Sequence, residues 1–256
     1  MQNNTFLTLF VGQTIVKLSA VNSTNTYVKD LLSNSKPLLE GTVIMADHQF
    51  AGRGQSNNVW ESKAGENLTF SIYLRPVFLA VNHQFELNKA ICLGILDGLI
   101  PLLGDACKIK WPNDIYYHYK KIGGILIENI TKGYQLKESI VGIGLNINQK
   151  EFGELSHRAS SLSKILHQNY DLADLLAQIC KTIEKRYLQL KAGKLDLLNA
   201  DYLSHLLRIN KPGLFKIDGK EIIATIKDVG ANGHLRLIID NDIKEFDLKE
   251  LTFIFD

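Results

Sequence analysis

The chain has 256 residues, 45% of them hydrophobic and 22% charged, with a formal net charge of +2; that is enough for one large domain, or a medium domain with a small companion, around a real core. So small a charge argues against nucleic acid as the main partner. Cys92, Cys107 and Cys180 are odd in number and form no Cys-x-x-Cys pair, which argues against a disulfide framework or a thiolate metal site and predicts free thiols in a reducing compartment.

Residues 1–19 carry no basic segment leading into a continuous apolar run, and no stretch reaches the ~20 apolar residues of a membrane span. A cytoplasmic protein without membrane contact is expected. Residues 22–26 (Asn-Ser-Thr-Asn-Thr) are capping types ahead of Tyr27, Val28, Leu31 and Leu32 at helical spacing. They predict a helix N-terminus, whose free N–H groups favour anionic or carbonyl oxygens. Residues 41–46 are a short β-branched run and predict a strand. Leu68, Phe70, Ile72 and Leu74 alternate with smaller or polar residues, the period of a half-buried strand.

Residues 85–103 carry apolar residues at helical spacing, stop at Pro101 and Gly104, and predict a long helix covering the sheet. Residues 108–110, 114–119, 122–130 and 139–147 have strand character. The last is expected at an exposed edge, where it could pair across a two-fold axis. Residues 172–190 form an amphipathic helix and 196–207 another. After Arg208, β-rich runs (214–217, 222–227, 235–239, 244–248) alternate with the turn signals Asp218-Gly219, Asn232-Gly233 and Asn241-Asp242. The expected fold is α+β: a mixed β-sheet flanked by helices in residues 1–207, then a small β-barrel-like domain in residues 208–256.

Residues 51–55 (Ala-Gly-Arg-Gly-Gln) follow the first of these strands, with Trp60 shortly after. Two glycines allow close backbone approach to a ligand, and an arginine between them can grip a phosphate or carboxylate. Gly52-x-Gly54-x-x-Asn57 is one residue from a dinucleotide fingerprint, but a strand follows in place of a helix. No Gly-x-x-x-x-Gly-Lys-Ser/Thr occurs, so a P-loop is excluded. Alone, the loop reads better as a plain surface turn than as a binding loop.

Lys110-Trp111-Pro112-Asn113-Asp114 sets a fixed φ, a carboxamide and a carboxylate after a strand ending in lysine. Asp114 could take part in magnesium binding and Lys110 could neutralise polyphosphate, although Asn-Asp also suits a strand-ending turn. Lys121 precedes Gly123-Gly124, where a lysine is ordinarily just solvated. Gly142-x-Gly144-x-Asn146 is less ordinary, because paired glycines on one face of a strand mark a place where a ligand lies against a sheet. The seven histidines do not cluster and read as surface or core residues.

Together these stretches resemble the biotin–protein ligases. The resemblance rests on Ser-Thr-Asn at residues 23–25, the run from Asp47 through Gln49 to Ala-Gly-Arg-Gly-Gln and Trp60, Lys-Trp-Pro-Asn-Asp at 110–114, Lys-Ile-Gly-Gly-Ile-Leu-Ile-Glu at 121–128, and Gly-Ile-Gly-Leu-Asn-Ile-Asn at 142–148. They stand in the family's order and spacing, and five in order are specific to it among adenylating enzymes. The closing β module also fits.

The resemblance implies a class II synthetase-like catalytic domain and a two-step reaction. Biotin and MgATP (biotin, ATP and Mg2+ all bound) would give biotinyl-5′-adenylate and pyrophosphate. A lysine of biotin carboxyl carrier protein, part of acetyl-CoA carboxylase or a related carboxylase, would then attack the mixed anhydride and release AMP. By the same resemblance, Arg53 and Lys121 would hold the biotin carboxylate against the α-phosphate, and Lys110 and Asp114 would handle pyrophosphate and Mg2+. Ser23, Thr24 and Gln49 would hydrogen-bond the ureido end of biotin. Asn25, Gly52, Gly54 and Gln55 belong to the same biotin site, and Gly124, Gly142 and Gly144 would leave room for the rings. Trp60 would pack beside the adenine, Asn113 would join the ATP site with Arg53, Gln55, Lys110 and Lys121, and Asn146 would reach the adenylate phosphate region.

The chain departs from the family's pattern at Gln55, where some members have arginine, and at Asn57, where a third glycine is common. Asn tolerates positive φ, so the loop is expected to keep its shape; Gln55 offers no charge to the adenylate. The loop is expected to be disordered without ligand and to close over it, shielding the anhydride from water. The alternative is a lipoate–protein ligase or acyl transferase of the same fold, but lipoate lacks a ureido group. A biotin-sensing repressor would need several dozen residues of DNA-binding module before Ser23, where 22 stand, neither basic nor helix-turn-helix-like. The module of residues 208–256 is expected to help position ATP or the carrier, or to cap the sheet. A monomer or a homodimer is expected.

Overall fold

The computed structural model describes residues 8–34, 37–55 and 58–255. A seven-stranded sheet is built from β1 (Ile15–Val21), β2 (Val43–Gln49), β3 (Leu68–Leu74), β4 (Cys107–Lys110), β5 (Asp114–Tyr117), β6 (Lys120–Lys132) and β7 (Gln135–Leu145). Its order is β1-β2-β3-β7-β6-β5-β4. β1 and β2 run parallel and the other pairs antiparallel, so the sheet is mixed. The helices are α1 (Thr24–Ser33), α2 (Gln84–Leu103), α3 (Leu162–Leu166), α4 (Leu172–Lys191) and α5 (Leu195–Ser204).

Both faces of the sheet are covered. On one, Val28 of α1 meets Ile44, Tyr73 and Ile140; on the other, Phe70, Ile72 and Leu74 join the layer formed by α2 and α4. Every residue of β3 is buried, which corrects the half-buried strand expected there. Its alternation is real, but Thr69, Ser71 and Tyr73 turn toward α1 and a cavity instead of open solvent. All three cysteines are buried and unpaired by disulfides.

α2 and α4 cross closely. A Cβ at Gly94 would lie 2.5 Å from Ile183 Cα, and one at Gly98 3.2 Å from Ile179 Cγ1, so two glycines one helical turn apart admit the partner helix. Arg186 of α4 then donates to Asp97 of α2 at 2.7 and 3.0 Å and to Asp201 of α5 at 2.5 Å, pinning three helices with one guanidinium. With the short turns at its ends, the segment Val81–Ala106 is long and apolar enough to cross a membrane, against the expectation that no such stretch exists. Here it is the core helix: Leu87, Ile91 and Leu96 have no exposed surface.

The expectation of an exposed edge at residues 139–147 is corrected. β7 lies between β3 and β6, so it has no free side for a two-fold partner. The outer strands are β1 and β4, and β4 is covered by the chain after α5: Leu207 N–H donates to Ile109 O at 2.7 Å and Ile109 N–H to His205 O at 3.0 Å. β1 has no counterpart among the expected strands. Its signal is nonetheless present, since Val16 and Leu18 alternate onto the α1 cluster.

A second sheet follows Arg208: β8 (Pro212–Ile217), β9 (Lys220–Val229), β10 (Leu235–Ile239), β11 (Asp242–Phe246) and β12 (Leu251–Phe253), antiparallel in the order β11-β10-β9-β8-β12. Asp218, Gly219, Gly233 and Asn241 take positive φ at the turns, the conformation these residue types adopt at least cost. Trp111 joins the two sheets: its Nε1–H donates to Gly233 O at 2.9 Å. Phe255 packs its ring near Tyr116 and Tyr119.

Candidate active site

Strand register explains why the motifs are spaced as they are. Thr69 pairs with Gly144, Gly144 with Gly124, Gly124 with Asp114, and Asp114 with Lys110. Paired residues share a face, so distant segments of chain set two glycines, a carboxylate and a lysine in one row. Ser71, Gly142 and Leu126 form the row beside it, two residues along and therefore on the same face.

This face floors a cavity of about 430 Å³. Its walls are Ser23, Thr24 and Asn25 from the start of α1, Gln49 at the end of β2, and Arg53, Gly54, Gln55 and Trp60 from the glycine loop. Lys110, Asn113, Asp114, Lys121, Gly124, Gly142 and Gly144 also line it, and Leu248, Lys249, Leu251 and Thr252 close it from the second sheet.

Gly52 and Asn146 were expected in the site and do not line the cavity. A Cβ at Gly52 would lie 2.3 Å from Trp60 O, so this glycine serves the loop's own fold. The Asn146 side chain donates to Ser160 O at 3.0 Å and its N–H to Ile122 O at 2.8 Å; its carboxamide anchors backbone behind the site. Asn57 lies outside the described residues. In the described part of the loop, Arg53 and Val59 form an antiparallel bridge, and Gly54 N–H donates to Asn58 O at 2.7 Å.

One corner is polar and buried. Ser23 occupies the N-cap of α1 without a side-chain cap bond. Gln49 Oε1 does that work from β2, accepting from Thr24 N–H at 2.8 Å and Thr24 Oγ1 at 3.1 Å. Ser71 Oγ lies 2.7 Å from Thr24 Oγ1 and 2.6 Å from Asn25 Oδ1. Asn25 Nδ2 donates onward to Glu128 Oε2 at 2.8 Å. Asn113, also buried, donates to Ile125 O.

The room expected beside Gly142 and Gly144 is filled by the protein itself. A Cβ at Gly142 would lie 2.5 Å from Asn25 Oδ1, and one at Gly144 would lie 2.4 Å from the Trp60 ring. Trp60 thus rests on Gly144, with its Nε1–H buried and without an acceptor among the described residues. A buried donor left unpaired costs about 1–3 kcal/mol, which favours an acceptor brought by a ligand.

The other side is cationic. Lys121 Nζ lies 2.6 Å from Asp114 Oδ1 and 5.9 Å from the Trp60 ring centroid. Lys110 Nζ stands 4.7 Å over Phe253 and 5.9 Å from Tyr116. Burial pushes its pKa down; Asp114 opposes that shift and Lys121 adds to it. Arg53 Nη2 donates to Glu128 Oε2 at 3.1 Å. Burial pushes the Glu128 carboxyl up, but hydrogen bonds from Lys29 and Asn25 and the charge of Arg53 outweigh it and hold the group below its ordinary value.

A slot with neutral hydrogen-bonding groups at one side, two lysines at the other, and an arginine held at Glu128 beside the polar corner suits a ligand with a polar head and an anionic tail, together with phosphates. Among the described residues no three His, Cys, Asp or Glu converge on a metal position. Asp114 alone suits a divalent ion that arrives on a polyphosphate and keeps phosphate and water as its other ligands. The contributions of residues 248–252, Ser71 and Lys29 carry no local motif; Glu128 ends one of the sequence motifs, where its partners could not be read.

Residues 18–146 match the model of the family described as "Biotin/lipoate A/B protein ligase family". The bifunctional ligase/repressor BirA of Bacillus subtilis (strain 168) is 36% identical over 181 residues, 69% of this chain and 54% of that protein. The biotin–[acetyl-CoA-carboxylase] ligase of Mycobacterium tuberculosis is 28% identical over 232 residues, 86% of this chain and 83% of that protein. The biotin protein ligase from Aquifex aeolicus, solved in complex with biotin and ATP, is similar in structure with a TM-score of 0.79 at 26% identity, covering 95% of this chain and 99% of that one. The chain spans about half the length of the Bacillus relatives it matches.

Proposed function

The chain belongs to the biotin/lipoate A/B protein ligase family, and from that premise we propose that it is a biotin–protein ligase, joining biotin to ATP as biotinyl-5′-adenylate and passing the biotinyl group to a lysine of a carboxylase's biotin carboxyl carrier protein. The observation that carries the reading is the row Gly144–Gly124–Asp114–Lys110, with Arg53 and Lys121 lining the same cavity. Biotin has a ureido ring at one end and a carboxylate at the other, which matches the polar corner and the cationic side.

In the first step a carboxylate oxygen of biotin attacks the α-phosphorus, and the bond to pyrophosphate breaks. Arg53 and Lys121 would hold these two anionic groups together and stabilise the charge that grows between them. Lys110 would meet the polyphosphate, which supplies the counter-charge that burial makes its ammonium need. Lys249 lines the same cavity and would add a second cation. Magnesium would enter with ATP and take Asp114 as its protein ligand, offsetting phosphate charge.

Trp60 would leave Gly144 to admit the rings and pack beside the adenine. In the second step the neutral amine of the carrier lysine attacks the acyl carbon, AMP departs, and the new nitrogen loses a proton to give the amide. The reading places the enzyme in the cytoplasm with its carrier. Lipoate fits less well, because it brings no ureido group to hydrogen-bond at the polar Ser23–Thr24–Asn25–Gln49 corner. Biotin-dependent ATP–pyrophosphate exchange tests the proposal: exchange with lipoate and none with biotin would overturn it.

A further inference from the structure

Arg53, the loop cation of the cavity, is committed in this structure to a carboxylate outside it. Its Nη2 lies 3.1 Å from Glu128 Oε2, and Glu128 is not among the residues that line the cavity. Glu128 has two further donors: Lys29 Nζ at 2.6 Å on Oε1 and Asn25 Nδ2 at 2.8 Å on Oε2. Each carboxylate oxygen therefore keeps one donor when Arg53 leaves. An anion entering the cavity can take the guanidinium without leaving a bare, half-buried carboxylate behind, the outcome that makes broken pairs costly.

We propose that Glu128 is an internal competitor for Arg53: in the empty site it occupies the guanidinium that the substrate's carboxylate needs, and so it sets the affinity for acids against neutral analogues. Glu128 is a positioning residue, since it acts through Arg53 and touches no substrate. Lys29 sits on the other side of the balance. By sharing the Glu128 carboxylate it loosens Glu128's hold on Arg53. The inference rests on the biotin–protein ligase reading given above.

The test compares the full chain's dissociation constants for biotin and for biotinol, in which an alcohol replaces the carboxylate, by titration calorimetry. Glu128→Gln removes the competing charge at nearly constant shape. It is expected to tighten biotin about two- to fivefold, the worth of a partly exposed ion pair, and to leave biotinol unchanged. Lys29→Met, at a partly exposed position on α1, is expected to move biotin affinity the other way and again to leave biotinol unchanged. A purely structural role for the cluster would weaken both ligands in both variants, with a lowered melting temperature in Glu128→Gln. That pattern, or a biotin-to-biotinol ratio unchanged by Glu128→Gln while wild type binds biotin, overturns the proposal alone. A wild-type chain that binds neither ligand overturns the functional reading, and this proposal with it.

Discussion

Lys121 Nζ and Asp114 Oδ1 lie 2.6 Å apart on neighbouring strands, and the register between those strands shifts at Ile115–Tyr116, next to the pair. The shift brings a lysine that precedes the glycine pair back over the row that contains Asp114. In the empty site each group neutralises the other; with substrate present the lysine has phosphate and carboxylate to turn to.

Lys121→Ala therefore removes a charge already held where the transition state needs it. Biotin-dependent ATP–pyrophosphate exchange is expected to fall about 10²- to 10³-fold, the usual worth of a preorganised electrostatic group. The lysine side chain is 34% exposed, so the melting temperature is expected to move little. A large thermal shift with exchange intact would reverse the assignment.

Gly144→Ala tests the close packing of Trp60. A Cβ there would meet the Trp60 ring at 2.4 Å, and the ring cannot stay. The chain has two tryptophans, and Trp111 is 2% exposed, so the emission change reports Trp60. A red shift is expected, with biotin affinity lowered about tenfold or more by the blocked slot and the displaced loop.

How much of this is legible in sequence depends on how local the cause is. Helix and strand positions follow from periodicity, and the glycine pairs are visible as anomalies inside strands. Pairing is not local: that Gly144, Gly124, Asp114 and Lys110 form one row depends on hydrogen-bond register across four strands. For the same reason β7 reads as an edge although two strands flank it. The entry of Leu248, Lys249, Leu251 and Thr252 into the cavity depends on how the second sheet docks, through Trp111 and Gly233, and no spacing encodes that. Asn146 shows the opposite error: a motif residue whose side chain is spent on Ser160.

Lys110 gives a pH dependence. Burial lowers its pKa, so its charge is complete below that value and lost as pH rises through it, before ordinary lysines lose theirs. Affinity for ATP is expected to fall as pH rises, at a lower pH than the titration of an ordinary lysine would give. Lys110→Arg, whose guanidinium stays charged, is expected to flatten that fall. A profile identical in both proteins, measured by equilibrium binding of ATP, would count against Lys110 as a phosphate ligand.

Lys249 separates the two roles open to the second sheet. If it supplies charge to the cavity, Lys249→Ala is expected to raise the KM for ATP about three- to tenfold and leave biotin binding unchanged. If that sheet only caps the fold, both constants stay at wild-type values.

The central claim is that one cationic row and loop join biotin to ATP and hand it to a carrier lysine. The most direct measurement is ATP–pyrophosphate exchange by the full chain with biotin, with lipoate and with neither, followed by mass spectrometry of a biotin carboxyl carrier domain. Exchange stimulated by biotin alone, and one biotinyl group added to the carrier, is the predicted result, with both lost in Arg53→Ala and Lys121→Ala. Exchange driven by lipoate and not biotin, or full transfer by both variants, would contradict the account.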